Sequence, residues 1–415
     1  MLAAAPAVSA EPFPSALSPT TPVVFSLHDI ESLAVKGNRE VQQAKLEVSK
    51  SEAALRAVQT RRLPSFSSIT FWGQQVDSGY RQNLAALPGV FEPVTQQYRI
   101  GMQIQQAKID LDIARQKLRL AKQNAVAQVK KTYIRLSALK SAIASREQNL
   151  AFLTTLQGFV ESENRRGAAL RVDVLSVSSK RARAEFELER DRDELITLMQ
   201  TLNRLLDRPI NTHIEIADIQ FVTHAEIESE RAIFQARSAR PEIAQLKFDA
   251  ARLDLDRKIE KSLYIPDISI GGTAIFSRNL DITLPRSFVS MGFLSIWEPW
   301  DWGRRFDLAR VAERQRQKAL IELDDMSDKV SVEVDNARRA LKVVEKEVEA
   351  ASLEETSAAE ELRIANRRFQ AGAAVLKDVT QTEAEYSKAI SENVQAKSNY
   401  ASAEVELDRT LGKDF

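Results

Sequence analysis

The sequence contains no cysteine and only three histidines. Without cysteine there is no disulfide framework, no thiolate metal site and no thiol nucleophile, and an N-terminal lipid anchor on cysteine is not expected. His28, His213 and His224 each lie in or beside a linker. A lone imidazole there is far more often a cap or a surface group than a catalyst. No HExxH, P-loop, GxSxG or GxGxxG arrangement occurs, so neither an enzyme nor a metal or cofactor site is expected. Net charge is also missing, with 58 Lys+Arg against 58 Asp+Glu. That balance removes the basic excess that nucleic-acid binders carry. No run of 18 apolar residues exists, which excludes a transmembrane helix.

Gly and Pro are scarce at 13 each, aromatics make up 7%, and charged residues reach 28% of the 415 residues. Such a mixture belongs to long helices and coiled coils. The first ten residues, MLAAAPAVSA, end in the small residues Val8-Ser9-Ala10 of a signal-peptidase site but lack a basic start. They read as the remnant of an export signal or, equally, as a disordered Ala/Pro tail. Residues 1–25 as a whole are read as an extended leader.

The chain says everything twice. GAALRVDVL from Gly167 returns as GAAVLKDVT from Gly372, an offset of 205, and LNRLLD (202–207) returns as LDRTLG (407–412) at the same offset. NREV (38–41) faces RPEI (240–243), and Pro64 faces Pro266, both at 202. Gly101 faces Gly292 at 191, which reads as a shorter connection followed by two extra heptads in the second long helix. The expected organisation is a first repeat (26–207), an equatorial linker (208–223), a second repeat (224–412) and a short end (413–415).

Proline is absent between Val94 and Arg208 and after Pro299, so neither span has an obligate helix breaker. Leu136, Leu139, Ile143, Leu150, Leu153 and Val160 keep the 3-4 spacing of an amphipathic helix. Gly167 and Gly372 supply the sharp turns, making each span a helical hairpin. Long helices are placed at 107–165 and 302–370, and shorter ones at 26–62, 168–207, 224–263 and 374–411. Two short helices stacked end to end match one long helix. HIEIADIQF in the linker hints at a small strand.

Two interruptions, 64–106 and 266–301, differ in character. With Trp302-Gly303 they hold all four tryptophans and eight of the 13 glycines. DISIGGTAIF (267–276) and YRIGMQIQQ (98–106) alternate apolar and polar residues, the period of a strand with one apolar face. SFSSITFWG (65–73) and SFVSMGFLSIW (287–297) are weaker strands, with connections near 76–96 and 278–286. Each interruption is therefore read as a strand pair. Strands of nine to eleven residues suit an outer-membrane barrel, and tryptophan at strand ends marks a membrane–water interface. Trp72, Trp297, Trp300 and Trp302 are the candidate interface aromatics. Four strands cannot close a barrel, and an open edge is not tolerated in lipid, so several copies must share one.

The ordered set of duplicated halves, WEPWDWGRR before the second long helix, the paired turns RRGAALRVDVL and RRFQAGAAVLKDV, and the helix ends LNRLLDRP and LDRTLG resembles the TolC-like outer-membrane efflux proteins over residues 26 to 412. That resemblance implies a mainly α fold with a small β part. Two tandem repeats form long antiparallel coiled-coil helices in a periplasmic α-barrel, and four strands join a shared transmembrane β-barrel. It implies a homotrimer in outer-membrane lipid, fed by an inner-membrane transporter through a periplasmic adaptor protein. By the same resemblance Gly167 and Gly372, with Val174 and Val379 beside them, form the tip turns where the adaptor docks. Asp378 stands at the acidic position lining the periplasmic aperture. Gln381 replaces a second acidic residue there, and Asp173 is the first-repeat counterpart. Either aspartate also fits as a helix cap after a Gly turn. Phe369 and Ala374 stand where some members carry a Tyr and an Arg that latch the closed state. The alternative to a channel is a soluble periplasmic coiled-coil scaffold or adaptor.

Overall fold

The computed structural model describes residues 24–75, 81–216, 228–278, 287–371 and 373–414. Gly372, His224, most of the leader and part of the equatorial linker lie outside the described residues. The chain opens with β1 (Val24–Phe25) and α1 (Leu27–Gly37). Ser26 starts α1 through a capping box, its hydroxyl accepting from the Asp29 amide while the Asp29 carboxylate accepts from the Ser26 amide at 3.1 Å. Next come α2 (Arg39–Gln59), a 3-10 turn at Thr60–Arg62, β2 (Ser65–Gln75), β3 (Arg81–Pro93), α3 (Gln96–Arg165) and α4 (Arg171–Leu205). After β4 (Glu215–Ile216) the layout returns as α5 (Ser229–Ala239), α6 (Pro241–Ser262), β5 (Asp267–Arg278), β6 (Ser287–Ile296), α7 (Arg304–Gln370) and α8 (Leu376–Thr410).

At 70 and 67 residues, α3 and α7 reach about 100 Å at 1.5 Å per residue. The helices stand side by side in four columns. α3 packs on α2 and α4 on one side and on α6 and α8 on the other, and α7 packs on α6 and α8. The first and third columns are each two short helices in series. α4 ends against the α1/α2 junction, where Asn38 Nδ2 donates to the Leu205 carbonyl at 3.2 Å and Arg39 pairs with Asp207 at 2.9 Å. α8 ends against the α5/α6 junction, with Gly412 set against the Ala239–Arg240 backbone. The junction residues Asn38 and Arg240 are equivalent in the repeat, and both are buried. Asn38 closes α1 and caps α2 by accepting from the Glu40 amide at 2.9 Å. Arg240 precedes Pro241 at the first helical position and pairs with Glu242 at 2.9 Å and with Glu333.

Mid-height is where the chain buries most. Ile30, Ala34, Val129, Tyr133, Leu136 and Leu202 form one cluster beneath β4, which pairs in parallel with β1. Ala232, Ala236, Val330, Val334 and Leu411 form its counterpart in the second repeat. Each fully buried valine or leucine there contributes about 1.5–3 kcal/mol.

Three expectations are corrected. Residues 98–106 are not a strand but part of the first turns of α3, and the second strand of the first pair is β3, within the stretch read as a connection. Ile100, Met102 and Ile104 do alternate, yet Ile100, Ile104, Ala107, Leu111 and Ala114 also keep a 4-3-4-3 spacing and are buried on one helix face. β3 carries Pro88 and Gly89, residues that break a strand pattern. In the sheet Pro88 falls at a gap in the β3–β5 ladder, and its carbonyl accepts from Thr273 Oγ1 at 3.1 Å. Second, Gly101 and Gly292 lie in a helix and a strand, so they are not equivalent, and α7 is slightly shorter than α3 rather than two heptads longer. Third, the helices read at 26–62 and 224–263 are each broken once, at Asn38 and Arg240.

Candidate functional site

The two ends of the helical columns carry the features a conduit needs. At one end lies a four-stranded antiparallel sheet in the order β2-β3-β5-β6. Its register puts Ile270 opposite Phe293, Gly272 opposite both Met291 and Val90, and Val90 opposite Phe66. These residues share one face, with Phe66 75%, Val289 75%, Met291 87% and Phe293 77% exposed. An apolar surface this continuous marks a contact with lipid or protein. On the other face the Phe91 ring crosses Gly89 and Gly271, leaving no room for a side chain at Gly271.

Between strand and helix the chain is pinned by charge. Arg99 on α3 meets Asp267 at the start of β5 at 2.8 Å, and Thr95 Oγ1 donates to the Pro266 carbonyl at 2.8 Å while accepting from the Ile268 amide at 2.7 Å. After β6 the stretch WEPWDWGRR makes a tight elbow. Trp302 and Gly303 are both left-handed, with φ of 57° and 85°. Asp301 accepts from the Gly303 and Arg305 amides at 3.1 and 3.0 Å, capping α7. Desolvation opposes ionisation of Asp301, but those two amides together with the Arg305 and Arg304 charges hold its carboxyl below the ordinary range. Arg305, nearly buried, donates to the Glu298 carbonyl at 2.6 Å and lies over the Tyr264 ring. This frame turns Trp297, Trp300 and Trp302 outward, the last two in edge-to-face contact at 5.9 Å. The side chain of the fourth aromatic, Trp72, is outside the described residues. Sequence reading found the tryptophans but not the Glu298–Asp301–Arg305 frame, because nothing in residue types shows that three charges will converge.

At the far end are the tips. Gly167, at φ 78°, turns α3 into α4. Asp173 at the third position of α4 accepts from the Leu170 amide at 3.1 Å, and Asp378 accepts from the Val375 amide at 3.2 Å. Each aspartate is therefore a helix cap of the same form. Both stay exposed, as does Gln381, whose amide donates to Glu385 one turn on at 3.0 Å. Val174 packs against Leu156, Val160 and Val177 inside its hairpin, and Val379 is buried. The apolar groups exposed at the tips are instead Leu170, Val172, Leu175 and Val375. Leu170, Val172 and Leu175 fall out of phase with the half-buried Val174 and the buried Val177.

A sheet with an outward apolar face and a tryptophan-rimmed elbow is thus set on helical columns. Residues 232–413 match the family described as outer membrane efflux protein. Over those residues, less than half of the chain, the sequence is similar to that family. No curated protein sequence matches significantly. Among solved structures, the CmeC outer membrane channel of Campylobacter jejuni matches with a TM-score of 0.83 at 14% identity, covering 94% of this chain and 86% of that one. The outer membrane protein VceC of Vibrio cholerae matches at 0.80 and 15%, covering 94% and 96%. The open state of the MtrE outer membrane channel of Neisseria gonorrhoeae matches at 0.77 and 17%, covering 94% and 89%. These likenesses show that the fold, first repeat included, is that of the TolC-like channels. The matched family is one of outer membrane transport proteins. The soluble scaffold reading is left without support.

Proposed function

We propose that three copies of this chain build one exit duct, twelve strands closing a barrel in the outer membrane and twelve helical columns continuing it through the periplasm. A periplasmic adaptor engages the tips around Gly167 and Gly372, and an inner-membrane transporter feeds the duct. Asp378, with Asp173 and Gln381 nearby, lines the narrow periplasmic end, while Trp72, Trp297, Trp300 and Trp302 sit at the membrane interface. The repeats 26–207 and 224–412, joined by the linker 208–223, are its building units.

The observation that carries this reading is that both layers of the molecule have unfinished edges on matching sides. The sheet ends at β2 and β6. The helical layer ends at the α2/α4 column and at α7. Along α7, Val311, Ile321, Val332, Val343, Leu353 and Ile364 recur every ten or eleven residues and are 41–70% exposed. An 11-residue recurrence keeps a nearly straight stripe on one side of a helix. The opposite edge exposes Leu46 on α2 and Leu175, Phe186 and Ile196 on α4. The two edges differ, so joining one to the other is a head-to-tail contact, which makes a ring when the rotation between copies closes. Light scattering with and without detergent tests this. A detergent-dependent mass of three chains is expected, and a monomer soluble in plain buffer would overturn it.

A further inference from the structure

The apolar face of the sheet is not flat. Gly272 and Ala274 of β5 floor a groove of about 920 Å³, walled by Phe66 and Val90 on one side and by Met291 and Phe293 on the other. At the end of the sheet where the helices begin, a carboxylate borders this groove. Glu92 lies two residues beyond Val90 on the same face and opposite Ile270. Its Oε1 accepts from Gln97 Nε2 at 2.9 Å, and its Oε2 is buried without a hydrogen bond. Among the described residues no lysine or arginine pairs with it. Gln97 Nε2 also donates to the Arg62 carbonyl at 3.2 Å. Arg62 is exposed and extends over α3, where a Cβ at Gly101 would meet its Nη2 at 3.4 Å. Among the described residues its guanidinium meets no carboxylate. Gln97 thus ties together an anionic and a cationic residue, and the chain neutralises neither.

We infer that this groove seats an acyl chain of one phospholipid whose head carries a primary ammonium, with Glu92 receiving the ammonium and Arg62 the phosphate. The inference rests on the channel reading above, which puts this face of the sheet in lipid. A carboxylate bordering hydrocarbon without a counter-charge is costly, and a cation from outside the chain offsets that cost. Rotation about the last side-chain bond of Glu92 exchanges its two oxygens and presents one to the groove. A bilayer supplies the apolar chain, the phosphate and the ammonium in a single molecule. An anionic lipid would meet Arg62 but be repelled by Glu92. A quaternary ammonium would bring the charge without the N–H donors that a carboxylate accepts from.

The test is native mass spectrometry of the full-length protein, stripped of lipid in detergent and titrated with phosphatidylethanolamine, phosphatidylcholine or phosphatidylglycerol. Phosphatidylethanolamine is expected to bind about tenfold tighter than either of the others. Glu92→Gln should erase that preference, and Arg62→Gln should weaken all three lipids alike. Ala274→Leu, which fills the groove, should weaken all three without changing their order. The comparison of headgroups on the wild-type protein needs no variant, so it decides the matter even where a substitution disturbs assembly. Equal affinities in the wild type, a preference for phosphatidylglycerol, a preference that survives Glu92→Gln in an intact oligomer, or binding indifferent to Ala274→Leu would each overturn the lipid site. A detergent-dependent trimer would leave the channel standing in all of those cases. A protein that is monomeric in plain buffer and takes up no lipid would overturn the channel reading, and the lipid site with it.

Discussion

Asp173 and Asp378 occupy the same place in the two repeats and accept the same backbone hydrogen bond, so their capping contributions should be alike. Asp173→Asn and Asp378→Asn are each expected to cost about 0.5–1 kcal/mol of stability. Only a role at the aperture separates them. Asp378→Asn should also weaken block by divalent cations and raise leak, measured as single-channel current, whereas equal and unchanged block in both variants would leave capping as their whole function. Glu383, half-buried on α8 two turns into the tip, behaves differently. Burial alone pushes its carboxyl above the ordinary glutamate value of 4.5. The folded state therefore holds that proton to higher pH than the unfolded chain, and stability declines as pH rises through the raised value. Glu383→Gln should raise the melting temperature at pH 7, with the gain vanishing near pH 4. A gain that is the same at both pH values would mean that Glu383 is not the titrating group.

Among the strands, Gly271 is the position with no slack. A Cβ there would lie 2.2 Å from the Val90 carbonyl oxygen and 2.6 Å from the Phe91 ring, whereas one at Gly292 meets nothing within 4 Å. Gly271→Ala should separate β3 from β5 and abolish the detergent-resistant assembly, and Gly292→Ala should assemble normally when both are run on semi-native gels. The contrast shows what a sequence can and cannot say about elements. The helical hairpins were legible because proline is absent and the 3-4 spacing runs unbroken. β2, β5 and β6 were legible from their alternation and flanks. β3 was not, because its identity depends on β5 lying alongside with a ladder gap where Pro88 falls. The start of α3 was missed for the opposite reason, since nine residues can satisfy a period of 2 and of 3.6 together. The breaks at Asn38 and Arg240 were in view as NREV and RPEI, yet they count as joints only once another helix end is seen to rest on them. At the tips the caps and the Gly167 turn could be read from residue types. The exposed Leu170, Val172 and Leu175 needed the packing of Val174 and Val177 to be known first.

For the whole molecule the decisive property is that its edges are unfinished. Val332→Asp and Val343→Asp, both on the exposed stripe of α7, should lower the mass in detergent to that of one chain while the circular dichroism of the helices stays unchanged. Retention of the wild-type mass would place the subunit contact elsewhere. The mid-height joints bear on how such a chain comes to be made. The Asn38–Leu205 and Arg39–Asp207 bonds join residues 167 and 168 positions apart, and Gln123 reaches Asp414 across 291. Closing loops of that length costs entropy well before any contact repays it, which slows folding. The earliest helices therefore emerge with their joints empty and wait for the last turn of their own repeat. The second repeat waits until the turn after α8 has been synthesised. Until α8 is made the protein is a string of half-satisfied helices, and its folding is a race between filling those joints and pairing with the wrong neighbour.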